Sequence, residues 1–185
     1  MRRVGYGIIV VGLLAGAGAL VFSTPGPSPS NMLDPHRPTV MVFVGRTCPI
    51  SNRYAPVLER LYHRFKDRVA FQLIYPAGRD TPEEITQHLR EYGLSWTPQS
   101  DPDHRRVALA GVSITPEAAV FDANGHLAYR GRIDDRWINF GRSRPAPTQN
   151  DLAKAIESIV RGQRPKVTRT KAVGCYISEK MKRGI

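Results

Sequence analysis

The sequence predicts an α/β domain with a central mixed sheet flanked by helices, preceded by one apolar N-terminal segment. Three observations carry this reading. The continuous β-branched and aromatic run Thr39-Val40-Met41-Val42-Phe43-Val44 suits a strand buried on both faces of a sheet. Behind Gly45-Arg46-Thr47-Cys48-Pro49, the residues Tyr54, Val57, Leu58, Leu61, Tyr62 and Phe65 recur at three- and four-residue intervals, which is one face of a helix. Further strand and helix patterns then alternate and end in a hairpin at Ala123-Asn124-Gly125, where Asn-Gly favours the positive φ of a tight turn.

Taken in order, Met1-Arg2-Arg3 precedes an uncharged run over residues 4–23, rich in Ile, Val, Leu, Gly and Ala. About 20 such residues cross a bilayer core as a helix, and flanking arginines stay on the cytoplasmic side. Residues 1–3 are therefore expected as a cytoplasmic stub and 4–23 as a signal anchor or transmembrane helix. The Pro- and Ser-rich stretch 24–37 is expected as a linker. Ala15-Gly16-Ala17 or Ala17-Gly18-Ala19 would serve as a cleavage site if the run is a signal peptide instead. On either reading the remainder is exported. The expected location is the inner membrane, single-pass, with the domain on the periplasmic or other extracytoplasmic side. No cysteine follows the apolar run, which excludes lipoprotein processing.

Residues 38–162 make the expected domain. A strand over 39–44 leads into the helix opened by Pro49, a residue suited to a first helical turn. A strand over 69–75 follows, and Thr81-Pro82-Glu83-Glu84 opens a second helix with a cap, a first-turn proline and acids set against the helix dipole. This alternation implies parallel pairing. A short helix over 101–111, strands over 118–122 and 127–132, and an amphipathic helix over Asp151–Val160 ended by Gly162 complete the order βαβα, short helix, ββα.

The charge balance, 27 Lys and Arg against 16 Asp and Glu for a net +11, would attract polyanions. The positives are scattered, however, and concentrate only over 161–183, with no recognition helix or aromatic platform beside them. Nucleic acid is not expected as a partner. Residues 163–185 read as a basic, mobile tail able to touch anionic lipid head groups. The two cysteines, Cys48 and Cys175, exclude a disulfide-rich scaffold and show no metal-finger spacing. The five histidines are dispersed without a metal-helix spacing, and His36 or His104 could approach the site only through folding.

The chemistry is expected at Thr47-Cys48-Pro49-Ile50-Ser51, where a strand hands over to a helix. Unpaired amides and the positive helix end favour an anion there, which depresses a cysteine pKa and raises its nucleophilic thiolate fraction. Ser51 can add a hydrogen bond to the sulfur, and Arg46 and Arg53 add positive potential. The sulfur is expected to be exposed. The alternative is a buried, inert cysteine. Asp134 and Asp135 are expected to cap a turn or to pair with Arg130, Arg132 or Arg136 rather than to act as an acid/base pair.

With Ile114-Thr115-Pro116-Glu117 placed just before a strand, this constellation resembles the thioredoxin superfamily, and within it the redoxin group of AhpC/TSA-like and TlpA-like proteins. The likeness extends over 38–162. Tyr129-Arg130-Gly131-Arg132-Ile133-Asp134-Asp135 and Gly174-Cys175-Tyr176-Ile177 look like an exported, membrane-tethered bacterial subgroup. The resemblance implies a cis-proline loop at Thr115 and Pro116, lying beside the sulfur and receiving the substrate chain. It implies catalytic roles for Cys48, Ser51 and Thr47, no resident cofactor, and a protein thiol or disulfide as partner.

Cys175 is expected either to resolve an oxidised Cys48, to ligate copper with it, or to stand alone. Two departures separate the chain from relatives of this kind. Ser51 stands where thioredoxins have the second cysteine of Cys-x-x-Cys, and Gly45 stands where peroxiredoxins have threonine. Thiol-disulfide exchange is thus the expected activity. A Sco-like copper module, which here would lack Cys-x-x-x-Cys because Asn52 takes the second place, and a peroxiredoxin-like peroxidase are the alternatives.

Overall fold

The computed structural model describes residues 29–177. The apolar run 4–23, and with it the anchor, cleavage-site and orientation readings, lies outside them, as does the chain end 178–185. Among the described residues no helix is long and apolar enough to cross a membrane.

A 3-10 turn, Pro29–Met32, leads into strand β1 (Thr39–Phe43), all five residues of which are buried. Helix α1 (Pro49–Phe65), strand β2 (Ala70–Tyr75) and helix α2 (Pro82–Tyr92) follow. Next come β3 (Pro98–Ser100), helix α3 (Arg105–Ala110), β4 (Ile114–Thr115), β5 (Glu117–Phe121) and β6 (Leu127–Gly131). The small hairpin β7 (Trp137–Asn139) and β8 (Arg142–Ser143), helix α4 (Asp151–Val160) and β9 (Cys175–Tyr176) close the chain.

The main sheet has the order β3-β2-β1-β5-β6. β1 runs parallel to β2, as does β2 to β3, whereas β1–β5 and β5–β6 are antiparallel. It is the mixed sheet expected, and the alternation of β1 explains its burial. Val40 and Val42 face Leu58 and Phe65 of α1 and Leu152 and Ile156 of α4. Met41 and Phe43 point the other way, to Met32, Ala110 and Val112. Central β1 thereby contributes apolar side chains to both layers, and its carboxyl end delivers residues 44–48 to the start of α1.

Local chemistry accounts for the element ends. Thr81 and Glu84 form a reciprocal capping box on α2, with Thr81 Oγ1 accepting from the Glu84 amide at 3.3 Å and Glu84 Oε2 from the Thr81 amide at 2.9 Å. Gly93 ends the helix at φ 64°, a left-handed conformation that glycine adopts without a Cβ penalty. Helix α3 is shorter than the expected 101–111. Asp101 stays outside it and accepts the Arg105 and Val107 amides on its carboxylate.

The basic segment after α4 departs from the mobile tail expected. Residues 168–170 pair with Arg130, the Arg130 amide donating to Thr168 O at 3.0 Å and the Thr170 amide to Arg130 O at 3.1 Å. Thr170 Oγ1 also bonds Tyr129 Oη, and Ala172 is buried. The composition of this stretch is polar, but its backbone makes a single parallel bridge, Arg169 with Arg130, at the open edge of β6.

Candidate active site at the start of helix α1

Cys48 is the N-cap of α1. Its φ of −84° and ψ of 113° are extended, Pro49 occupies the first helical turn, and the Asn52 amide donates to Cys48 O at 3.0 Å. No acid stands in that first turn, so the positive end of a 17-residue helix is uncompensated beside the sulfur.

Expected to be exposed, the Cys48 side chain is instead buried, at 2% exposure. The reason is β9. Residues 175–176 pair antiparallel with β4, Thr115 opposite Cys175 and Ile114 opposite Tyr176, and this brings Cys175 against Cys48. Sequence separation gave no means of locating that pairing, because nothing local says which edge a two-residue strand will join.

Burial pushes the Cys48 thiol up, yet the donors gathered round it more than offset this. The Cys175 thiol, the Ser51 amide and hydroxyl, and the Cys175 amide leave its pKa below the ordinary value. The Ser51 amide, at the third helical position, acts on the sulfur without the full geometry of an N-cap hydrogen bond. Ser51 Oγ accepts the Gly45 amide at 3.2 Å, which leaves its proton free to turn to the sulfur. In the protonated state the Cys48 thiol donates instead to Thr115 O, 3.1 Å away. Cys175 is shifted the opposite way. Burial, its bond to Cys48 and the charge on Cys48 push its thiol up to about 12. The two sulfurs are thus shifted in opposite directions, Cys48 toward the thiolate and Cys175 toward the thiol.

The Thr115-Pro116 peptide is cis, and both residues are buried. The loop crosses close to β1–α1: a Cβ on Gly45 would come within 2.9 Å of Thr115 Oγ1 and 3.1 Å of Cys48 Cβ. A side chain at 45 would therefore press on the Thr115 hydroxyl and on Cys48. Thr47, expected at the site, is exposed. Arg46 is also drawn away, since its guanidinium pairs with Asp80 at 3.1 Å and Glu84 at 2.9 Å. Arg53 is exposed on the outer face of α1.

A polar cluster that sequence reading missed supports the loop from behind. Asn52 Nδ2 donates to Arg46 O at 3.1 Å and its Oδ1 accepts from His88 Nε2 at 2.9 Å, while His88 Nδ1 accepts from Tyr75 Oη at 2.9 Å. The buried His88 has a lowered pKa, burial being the main cause, which suits the neutral ring this network requires. The other expected residues are structural. Asp134 accepts from Tyr54 Oη at 2.5 Å and from the Arg136 amide. Asp135 accepts from Thr148 and Gln149, and Arg132 pairs with Asp151 rather than with either of them. His104 bonds Pro76 O. Among the described residues no group of three or more His, Cys, Asp and Glu is arranged to hold a metal.

No family model and no curated protein matches the chain. Solved structures do resemble it. An uncharacterized conserved protein from Geobacillus kaustophilus is 22% identical over 80% of this chain and 79% of that one, with a TM-score of 0.68. A thioredoxin-like protein solved in its oxidized form is 15% identical over 75% and 87%, with a TM-score of 0.54. MTB DsbF, solved in mixed oxidized and reduced forms, is 20% identical over 70% and 84%, with a TM-score of 0.52. Together with the strand order and the cis-proline loop beside a helix-start cysteine, these likenesses give the domain a thioredoxin-like α/β fold.

Proposed function

We propose that the protein is a thiol-disulfide oxidoreductase in which Cys48 is the nucleophile and Cys175 the resolving thiol, exported and tethered by the N-terminal apolar run. The observation that carries the reading is the pairing of Cys175 with Cys48, one sulfur with a lowered and the other with a raised pKa. The Cys48 thiolate attacks one sulfur of a partner disulfide, forming a mixed disulfide and releasing the other partner sulfur as a thiolate that takes up a proton. Neutralising Cys48 in this way removes two of the three causes that raise Cys175, its hydrogen bond to Cys48 and the Cys48 charge. The Cys175 proton is then more easily lost. Its thiolate attacks Cys48 Sγ, closes the Cys48–Cys175 disulfide and expels the second partner thiolate. The partner gains two electrons, and an external dithiol returns the protein to its reduced state.

Gly45, which stands where peroxiredoxins have threonine, favours this reading over peroxide reduction. An exported location suits disulfide chemistry, since disulfides persist outside the cytosol. Turnover of a peptide disulfide with an external dithiol should be abolished by Cys48→Ser. Equal turnover in that variant would reject the oxidoreductase reading.

A further inference from the structure

The proposed nucleophile is 2% exposed, and the segment that covers it is part of the same chain. Residues 168–170 are fixed to β6, and beyond them the backbone pairs with β4 only, while Ala172 is buried, Val173 and Cys175 rest against the α1 side of the core and Ile177 against the other side. There it is held by the Thr115–Cys175 and Ile114–Tyr176 pairs, by the Ile177 amide donating to Ser113 O at 3.0 Å, and by Thr115 Oγ1 donating to Cys175 O at 3.4 Å. This attachment is short. Tyr176, its largest side chain, is 84% exposed and adds almost nothing to burial. Gly174 fits against β4 only because it lacks a side chain. A Cβ there would overlap the Thr115 carbonyl oxygen and lie 2.7 Å from its carbon and 2.9 Å from Ile114 Cγ2.

We infer that residues 172–177 are a self-bound strap occupying the edge of β4 on which a partner's cysteine-bearing strand must lie, and that a partner reaches Cys48 by exchanging with it. This inference rests on the oxidoreductase reading and adds to it both a gate and a substrate class. The partner chain lies extended and antiparallel to β4, with its cysteine opposite Thr115 and glycine immediately before that cysteine, because any side chain there meets the Thr115 carbonyl. Exchange replaces strand hydrogen bonds with equivalent ones, so the closed state shields the thiolate from small oxidants at little cost in partner binding. In the closed state Cys175 is already beside Cys48. When the partner's second sulfur is to be expelled, return of the strap delivers the resolving thiol.

The test is the rate at which iodoacetamide alkylates Cys48, read by peptide mass in the full chain. It is taken on the high-pH plateau, where thiolate fraction no longer limits the rate. Cys175→Ser keeps the strap docked and removes the competing thiol. Adding Gly174→Val prevents docking and should speed alkylation at least tenfold over Cys175→Ser alone. A synthetic peptide of residues 170–177 with serine for Cys175 should slow the double variant again, and the same peptide with valine for Gly174 should not. Equal rates in the two variants, or equal protection by both peptides, would overturn the inference. Because the valine variant could misfold, amide exchange in Cys175→Ser supplies a second reading. The Ile177 amide should exchange at least a hundredfold faster than the β1 amides, and exchange as slow as β1 would overturn the strap. Alkylation and amide exchange require no turnover, so a protein with a working strap but no disulfide exchange would fail only the oxidoreductase reading.

Discussion

At the scale of residues, the site is a contest over one charge. Burial opposes the Cys48 thiolate, and the Cys175 thiol, Ser51 and the Cys175 amide oppose burial and prevail. The rate of Cys48 alkylation should therefore rise through a midpoint below that of an ordinary cysteine. Cys175→Ala should move that midpoint upward, and so should Ser51→Ala; a midpoint unchanged in both would mean that these donors do not hold the charge. Cys48 and Ser51 were legible because a helix N-terminus dictates their chemistry locally. Thr115 and Pro116 were legible through the resemblance. Burial of the sulfur was not, because it depends on residues more than a hundred positions away whose local pattern resembles a loop.

At the scale of elements, the loop from β6 to α4 is organised by a caged carboxylate. Asp135 accepts the Thr148 amide at 2.7 Å, the Thr148 hydroxyl at 2.6 Å and the Gln149 amide at 2.9 Å, with Arg144 nearby. These bonds, the Thr148 hydroxyl foremost, hold its pKa down to about 2. A folded-state pKa below the unfolded value of ~3.9 gives stability that is present above pH ~4 and is lost as the pH falls through about 2. Asp135→Asn should cost about 1.5–3 kcal/mol in urea unfolding at pH 7, the range for hydrogen bonds to a charged group. The difference from the unmodified protein should shrink below pH 4, and a cost that does not vary with pH would assign the effect to packing instead.

The long, periodic elements, β1, α1, α2, β5, β6 and α4, were legible within a residue or two. Those missed, β3, β4, β7, β8 and β9, have two or three residues each, too few to show a period. Their existence is decided by the neighbours they pair with. The Pro-Gln-Ser of β3, for example, is a strand because Leu73–Tyr75 offers it an edge.

At the scale of the whole molecule, the sheet brings three separate stretches to one point. Central β1 ends at the start of α1, antiparallel β5 places the cis-proline loop alongside, and the segment after α4 travels back across β6 to close the site. The strand-to-helix pattern forecast the first of these, and the resemblance the second. The third brings the basic end of the domain, expected as a solvated tail, up to the candidate site. The proposed membrane tether and export rest on the sequence of residues outside 29–177.

The central claim, that Cys48 and Cys175 form one redox pair, is tested most directly by oxidising the reduced full-length protein with oxidized glutathione and mapping its disulfides by mass. A single intramolecular Cys48–Cys175 bond, fully reversed by dithiothreitol, is expected. Cys48 recovered as a free thiol, or joined only to glutathione while Cys175 stays reduced, would contradict it.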